Sequence, residues 1–139
     1  MNRTIPKKGN EKMNKLAFIL VLLMALLQCF YALFAYVDPF AFSAVRGTVL
    51  ASPEDLDWVQ IYASRTLFVS LIIGILLYLK NYQVLFWAAL LGVVMPMTDG
   101  WLAYQAGSPF SVTLKHLITV AYLLATAVVL RAVVKKANA

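Results

Sequence analysis

Leu16-Ala17-Phe18-Ile19-Leu20-Val21-Leu22-Leu23 opens an apolar run that continues to Val37, and about 20 such residues are what a helix needs to cross a hydrocarbon core. Three more runs of that kind follow, Trp58 to Leu79, Val84 to Tyr104 and Val112 to Val134. They dominate a chain of 139 residues that is 63% hydrophobic and 13% charged, with a mean hydropathy of +0.81. A water-facing surface does not tolerate that composition. Strand-type alternation is absent, and backbone amides inside a bilayer need internal partners, so helices are the spanning element. The expected fold is one all-α domain, an antiparallel four-helix transmembrane bundle. Its helices cover residues 16–37, 53–79, 84–104 and 112–134, between a basic tail at 1–15 and a second at 135–139.

The first run is an anchor rather than a cleaved leader, because a cleavable apolar region has about 7 to 15 residues and this one carries on through Phe30, Tyr31, Leu33 and Phe34. Cys29 is the only cysteine, which excludes an internal disulfide, and it reads as a small packing residue. Basic residues set the orientation. Arg3, Lys7, Lys8, Lys12 and Lys15 precede the first span, Lys80 lies in the second turn, and Arg131, Lys135 and Lys136 close the chain. The opposite loops hold only Arg46 and Lys115 among acidic neighbours such as Asp38, Glu54, Asp55 and Asp57. By the positive-inside rule both termini are cytoplasmic and the protein sits in the inner, cytoplasmic membrane as a multi-pass protein. The net charge of +6 is therefore a topology signal, and nucleic acid is not an expected partner.

The one long connection, 38–57, interleaves Phe40, Phe42, Val45, Val49 and Leu50 with Ser43, Arg46 and Thr48. Two readings are open for it: a short amphipathic helix acting as a lid over the outer mouth, or a loop anchored by its aromatics at headgroup level. Ser52-Pro53-Glu54-Asp55 reads as a helix start, with Ser as N-cap, Pro at the first position and carboxylates at the positive dipole end. Lys80-Asn81-Tyr82-Gln83 is a tight turn, and Gly107-Ser108-Pro109 breaks the chain before the last span.

Three ionisable residues fall inside successive spans. Arg65 is seven residues from Trp58, Asp99 five from Tyr104 and His116 four from Val112, so with alternating helix directions all three lie roughly 6 to 11 Å below the outer interface. Ala89, Gly92, Pro96, Asp99 and Ala103 recur at steps of three or four, a small-residue face on which helices approach closely. Asp99 therefore points into the bundle, and Pro96 predicts a kink beside it, since it cannot bond the carbonyl of Gly92. Two uses of the trio are open. Arg65 pairs with Asp99 to pin two helices, His116 being a hydrogen-bonding residue near a helix start. Alternatively the trio lines a pocket, Arg65 binding an anion or carbonyl oxygen while Asp99 and His116 share a proton. In that pocket Tyr62, Thr98 and Trp101 are the expected ligand-binding neighbours, with Ser64 and Tyr104 at similar depth.

Tyr62-Ala63-Ser64-Arg65, Asp99-Gly100, Gly107 and His116 together resemble a bacterial and ascomycete family of small four-helix membrane proteins classified as a domain of unknown function, distantly DoxX-like. The resemblance runs from about Asp38 to Val134. Members have Gly two residues before the Arg, where this chain has Ala63, and often a Gly five residues after it, where this chain has Ser70. The resemblance implies a membrane bundle marked by Arg65, Asp99 and His116, and no particular reaction.

One His and one Cys do not build a familiar zinc site, and no phosphate loop, dinucleotide fingerprint or nucleophile elbow is present; no metal or cofactor is expected. Three functions fit the trio. The first is binding of a small lipophilic ligand; the second is acid–base catalysis on a lipophilic substrate, of isomerase, hydratase or cyclase type; the third is a proton-coupled carrier or accessory subunit. Expected partners are membrane lipids, such a ligand, and a second copy or a membrane partner protein.

Overall fold

Each of the four apolar runs is helical in the computed structural model, which describes residues 8–50 and 52–137. The elements are α1 (Lys8–Val37), α2 (Pro39–Arg46), α3 (Leu56–Tyr78), α4 (Tyr82–Gly92), α5 (Val94–Gln105) and α6 (Phe110–Ala137), with no strand among the described residues. Four stretches are long and apolar enough to span a membrane: Glu11–Val37, Pro53–Tyr78, Tyr82–Gln105 and Phe110–Ala137. This is a multi-pass membrane protein built as an all-α four-helix bundle. Arg3 and Lys7 of the basic flank, and the end of the tail at 138–139, lie outside the described residues.

Helix α1 begins well before the apolar run, at Lys8, and the Lys15 ammonium meets the Glu11 carboxylate one turn back at 2.7 Å. Such an exposed i,i+4 pair adds a few tenths of a kcal/mol to a helix. Ser52 starts the second span as its sequence implied: Pro53–Asp55 form a 3₁₀ turn leading into α3, and the Ser52 amide donates to the Asp55 carboxylate at 3.0 Å. Asn81 caps α4 by accepting from the Val84 amide at 3.3 Å. The third span breaks at Val93, between α4 and α5. Pro96, the third residue of α5 and buried, has no N–H to offer the Gly92 carbonyl, so the break falls where the helical ladder is one bond short.

Packing divides the bundle into two pairs. α1 lies along α3, α6 lies along α4 and α5, and α1 joins the pairs through α6; α3 and α5 do not pack closely on one another. Ser70 on α3 donates to the Ala25 carbonyl of α1 at 2.8 Å, and the Tyr122 hydroxyl of α6 bonds the Leu20 carbonyl of α1. The apolar interior is correspondingly split. A larger core including Val21, Met24, Leu85, Ala89, Leu123 and Leu130 fills the half nearer the chain ends. A smaller one of Ala35, Phe42, Val59 and Ala63, flanked by Tyr31, Phe34 and Tyr62, closes the far end. Between them the α3–α5 gap stays open.

Candidate functional site: a polar cavity between α3 and α5

The far end is closed by α2, and its limits are set by local chemistry. Asp38 is the N-cap, its carboxylate accepting from the Ala41 amide at 2.9 Å, with Pro39 at the first helical position. Gly47 ends the helix at φ 85°, a left-handed conformation that costs glycine nothing. Space demands glycine there as well: a Cβ would stand 2.7 Å from both Ser108 Oγ and Val112 Cγ1. The segment 38–57 thus contains the short amphipathic helix that was one of its two readings. Phe42 is buried against Phe34, Tyr31 and Tyr62 at ring-centroid distances of 5.7, 6.3 and 5.2 Å.

Helix α2 delivers Arg46 to Asp99. The two side chains form an ion pair and are only 14% and 29% exposed, and the guanidinium carbon lies 5.5, 5.8 and 5.4 Å from the ring centroids of Tyr31, Phe42 and Tyr62. Arg46 is therefore held by one carboxylate and three aromatic faces, an arrangement suited to guanidinium because it is weakly hydrated and planar. This corrects the expected helix-pinning pair: the partner of Asp99 is Arg46, from the loop, and not Arg65.

Main-chain atoms of the same turn are bonded to the start of the last span. Ser108 Oγ donates to the Gly47 carbonyl at 2.6 Å, Lys115 Nζ to the Val45 carbonyl at 3.2 Å, and His116 Nε2 lies 3.4 Å from the Arg46 carbonyl oxygen. His116 itself is buried. It reaches this position because Gly100 lets α5 and α6 close up: a Cβ on Gly100 would be 3.1 Å from His116 Cβ. Of the expected small-residue face, Ala89, Pro96 and Ala103 are buried, while Gly92 and Asp99 are half-buried at its margin; the neighbouring Gly100 is buried as well.

These groups face a cavity of about 430 Å³ whose walls come from α1, α2, α3, α5 and α6, within the size range typical of small-molecule sites, about 300–1,000 Å³. Arg65, Asp99, His116, Tyr62 and Thr98 all line it, so the structure brings the trio to one chamber. Arg65 is on the exposed part of its wall. Trp101 is not on the lining; it is 59% exposed and tilts against Tyr104 at 6.0 Å. Ser64 bonds the Ile61 carbonyl of its own helix at 2.9 Å. Apolar walls are supplied by Leu27, Val69, Val94 and Met95.

Arg46 is the residue the sequence reading missed as a site group. The signal lay in its frame: Asp38-Pro39 at one end and Gly47 at the other are start and stop marks for one short helix, which puts Arg46 at its last position. No group of three or more metal-ligating side chains occurs among the described residues.

A family model described as Domain of unknown function (DUF4267) matches residues 25–130. No curated protein and no solved structure matches the chain. The matched stretch runs from Ala25 in α1 to Leu130 in α6 and takes in every residue of the cavity wall. The four-helix membrane chain with this Arg46–Asp99–His116 chamber therefore belongs to the DUF4267 family.

Proposed function

We propose that this protein binds a small lipophilic ligand in the chamber between α3 and α5, with the ligand's polar group at the end lined by Arg46, Arg65, Asp99, Lys115 and His116. One observation carries the reading: a part-buried ion pair opens onto a cavity of about 430 Å³ whose remaining walls are mostly apolar. A pair that served only to pin helices would be enclosed by packing, because an open apolar void beside it forfeits contacts on every wall. By the basic character of the flanks at the chain ends, the chamber belongs to the outer half of an inner membrane. Both groups expected to carry a proton are engaged with Arg46, Asp99 through its side chain and His116 through its carbonyl, which favours binding over acid–base catalysis or proton-coupled transport. The DoxX-like kinship implied by the resemblance belongs to this same reading.

Native mass spectrometry of the purified full chain tests it, comparing the wild type with folded Asp99→Asn and His116→Ala variants. A retained lipophile lost from both variants is the expected result. A wild type that carries no small molecule, or variants that keep it unchanged, would overturn the reading and leave the cluster as a tertiary clamp.

A further inference from the structure

Resting on the ligand-binding reading, two features of the chamber narrow the ligand's chemistry. The first is charge. Arg46, Arg65, Lys115 and Asp99 all line the cavity, but Asp99 is matched to Arg46. Neither Arg65 nor Lys115 has a carboxylate within 4.0 Å among the described residues. Lys115 is partly served by the Val45 carbonyl; among the described residues no such partner meets Arg65, on a membrane span where an unpaired guanidinium is costly. The chamber's polar end is thus short of negative charge.

The second feature is a smaller recess of about 130 Å³ that shares Gln28, Val69 and Met95 with the chamber and extends it along α3 toward Leu76. Its remaining walls include Met24, Phe68, Ile72, Ala88 and Leu123, all apolar. From Arg65 to Leu76 is about 16 Å along the helix axis. That is the reach of one medium-length alkyl chain, and a volume of about 130 Å³ suits a single one.

We infer that the site takes a single-chain amphiphile with an anionic head, carboxylate or phosphate, its head at Arg65 and Lys115 beside the Arg46–Asp99 pair and its tail in the recess lined by Ile72, Ala88 and Leu123. The exposed wall of α3 at Trp58, Ile61 and Arg65 lets such a molecule enter sideways from the bilayer. A carboxylate head points to a free fatty acid and a phosphate head to a lysolipid-like source; guanidinium and ammonium donors accept both.

The test presents the full chain, in short-chain polyoxyethylene detergent, with dodecanoate, dodecyl phosphate, dodecanol and dodecylammonium, and reads one-to-one complexes by native mass spectrometry. One or both anions should bind roughly ten-fold more tightly than the alcohol or the amine, and which anion wins separates the two sources. Arg65→Gln should erase that advantage while dodecanol binding stays, and Arg65→Lys should restore most of it. Ala88→Phe, which fills the recess, should shift preference from dodecanoate to octanoate with the anion advantage kept. Equal binding of dodecanol and dodecanoate to the wild type would overturn the anionic assignment and leave ligand binding standing. An unchanged chain-length preference in Ala88→Phe would overturn the tail assignment. Failure of all four probes, with no Asp99-dependent ligand retained by the purified protein, would remove both readings together.

Discussion

Arg46 and Asp99 are separated by 53 residues, the whole span Pro53–Tyr78 among them, yet their side chains form the one ion pair that crosses the bundle among the described residues. The pair binds the C-terminal end of α2 to α5, and α2 has no other polar side-chain link to that helix. Its two members are not equivalent. Arg46 without Asp99 keeps three aromatic faces, whereas Asp99 without Arg46 loses its one ion-pair partner among the described residues while staying part-buried at the chamber wall.

The two single losses should differ for that reason. Breaking a fully buried pair costs about 3 to 5 kcal/mol; with one side chain 29% exposed, Arg46→Met should cost on the order of 2 kcal/mol. Asp99→Asn should cost less, since the cation remains stacked and an amide oxygen still accepts from it. The double variant should recover part of the Arg46→Met loss. Thermal unfolding in detergent, run as a double-mutant cycle, measures the coupling, and strictly additive effects would show that the pair does not hold α2 to α5.

Three glycines offer an internally controlled comparison. At Gly47 alanine meets both a φ of 85° and contacts of 2.7 Å on two sides; at Gly107 it meets only a φ of 70°, with nothing within 4 Å; at Gly74 it meets neither. Gly107→Ala should destabilise by about 1 kcal/mol, Gly47→Ala by clearly more, and Gly74→Ala should be neutral or stabilise by up to about 1 kcal/mol. The ranking is read from melting temperatures in one detergent. A Gly47→Ala variant as stable as Gly74→Ala would mean that the α2 turn is not seated on Ser108 and Val112.

Much of this architecture is legible before any coordinates, because it depends on properties that lie along the chain. Span lengths, the Ser52-Pro53 start, the break that Pro96 brings and the inward face through Asp99 all follow from local periodicity and backbone chemistry. What escaped was the partner of Asp99. Counting depth along the spans ranks only residues within spans, and so favours Arg65; Arg46 enters the same layer because α2 folds inward, driven by burial of Phe42 among Tyr31, Phe34 and Tyr62. That is a tertiary event with no periodic trace. Trp101 lies off the chamber lining for the complementary reason: its depth matches, but its place around α5 leaves it exposed.

Gly100 tests whether the approach of α5 to α6 shapes the chamber. A methyl group there stands 3.1 Å from His116 Cβ, tight enough that the His116 backbone or side chain has to give by a few tenths of an ångström. Gly100→Ala should therefore lower retention of the bound lipophile several-fold while costing no more than about 1 to 3 kcal/mol of stability, the usual range for a small overpacking change. Native mass spectrometry and a melting curve on the same sample separate the two effects. Retention that tracks stability alone, with a destabilised control such as Ser70→Ala losing as much ligand, would show that His116 has no specific place in the site.

The aromatic seat of α2 yields the last expectation. Phe42 is 4% exposed and touches three rings, so its removal deletes the main apolar anchor of the segment that carries Arg46. A buried Phe→Ala change costs about 3 to 5 kcal/mol, but the loss here should be felt locally, because the larger core around Leu85 and Leu130 contains no residue of α2. Hydrogen exchange followed by mass spectrometry should show Phe42→Ala accelerating amides between Phe40 and Thr48 far more than those of Ile73 to Leu77. Phe42→Leu, which keeps much of the apolar volume, should fall between the variant and the wild type. If exchange instead rises uniformly through all four spans, α2 is an integral part of one cooperative unit and not a separately seated cover, and Arg46 cannot be released from Asp99 without unfolding the bundle.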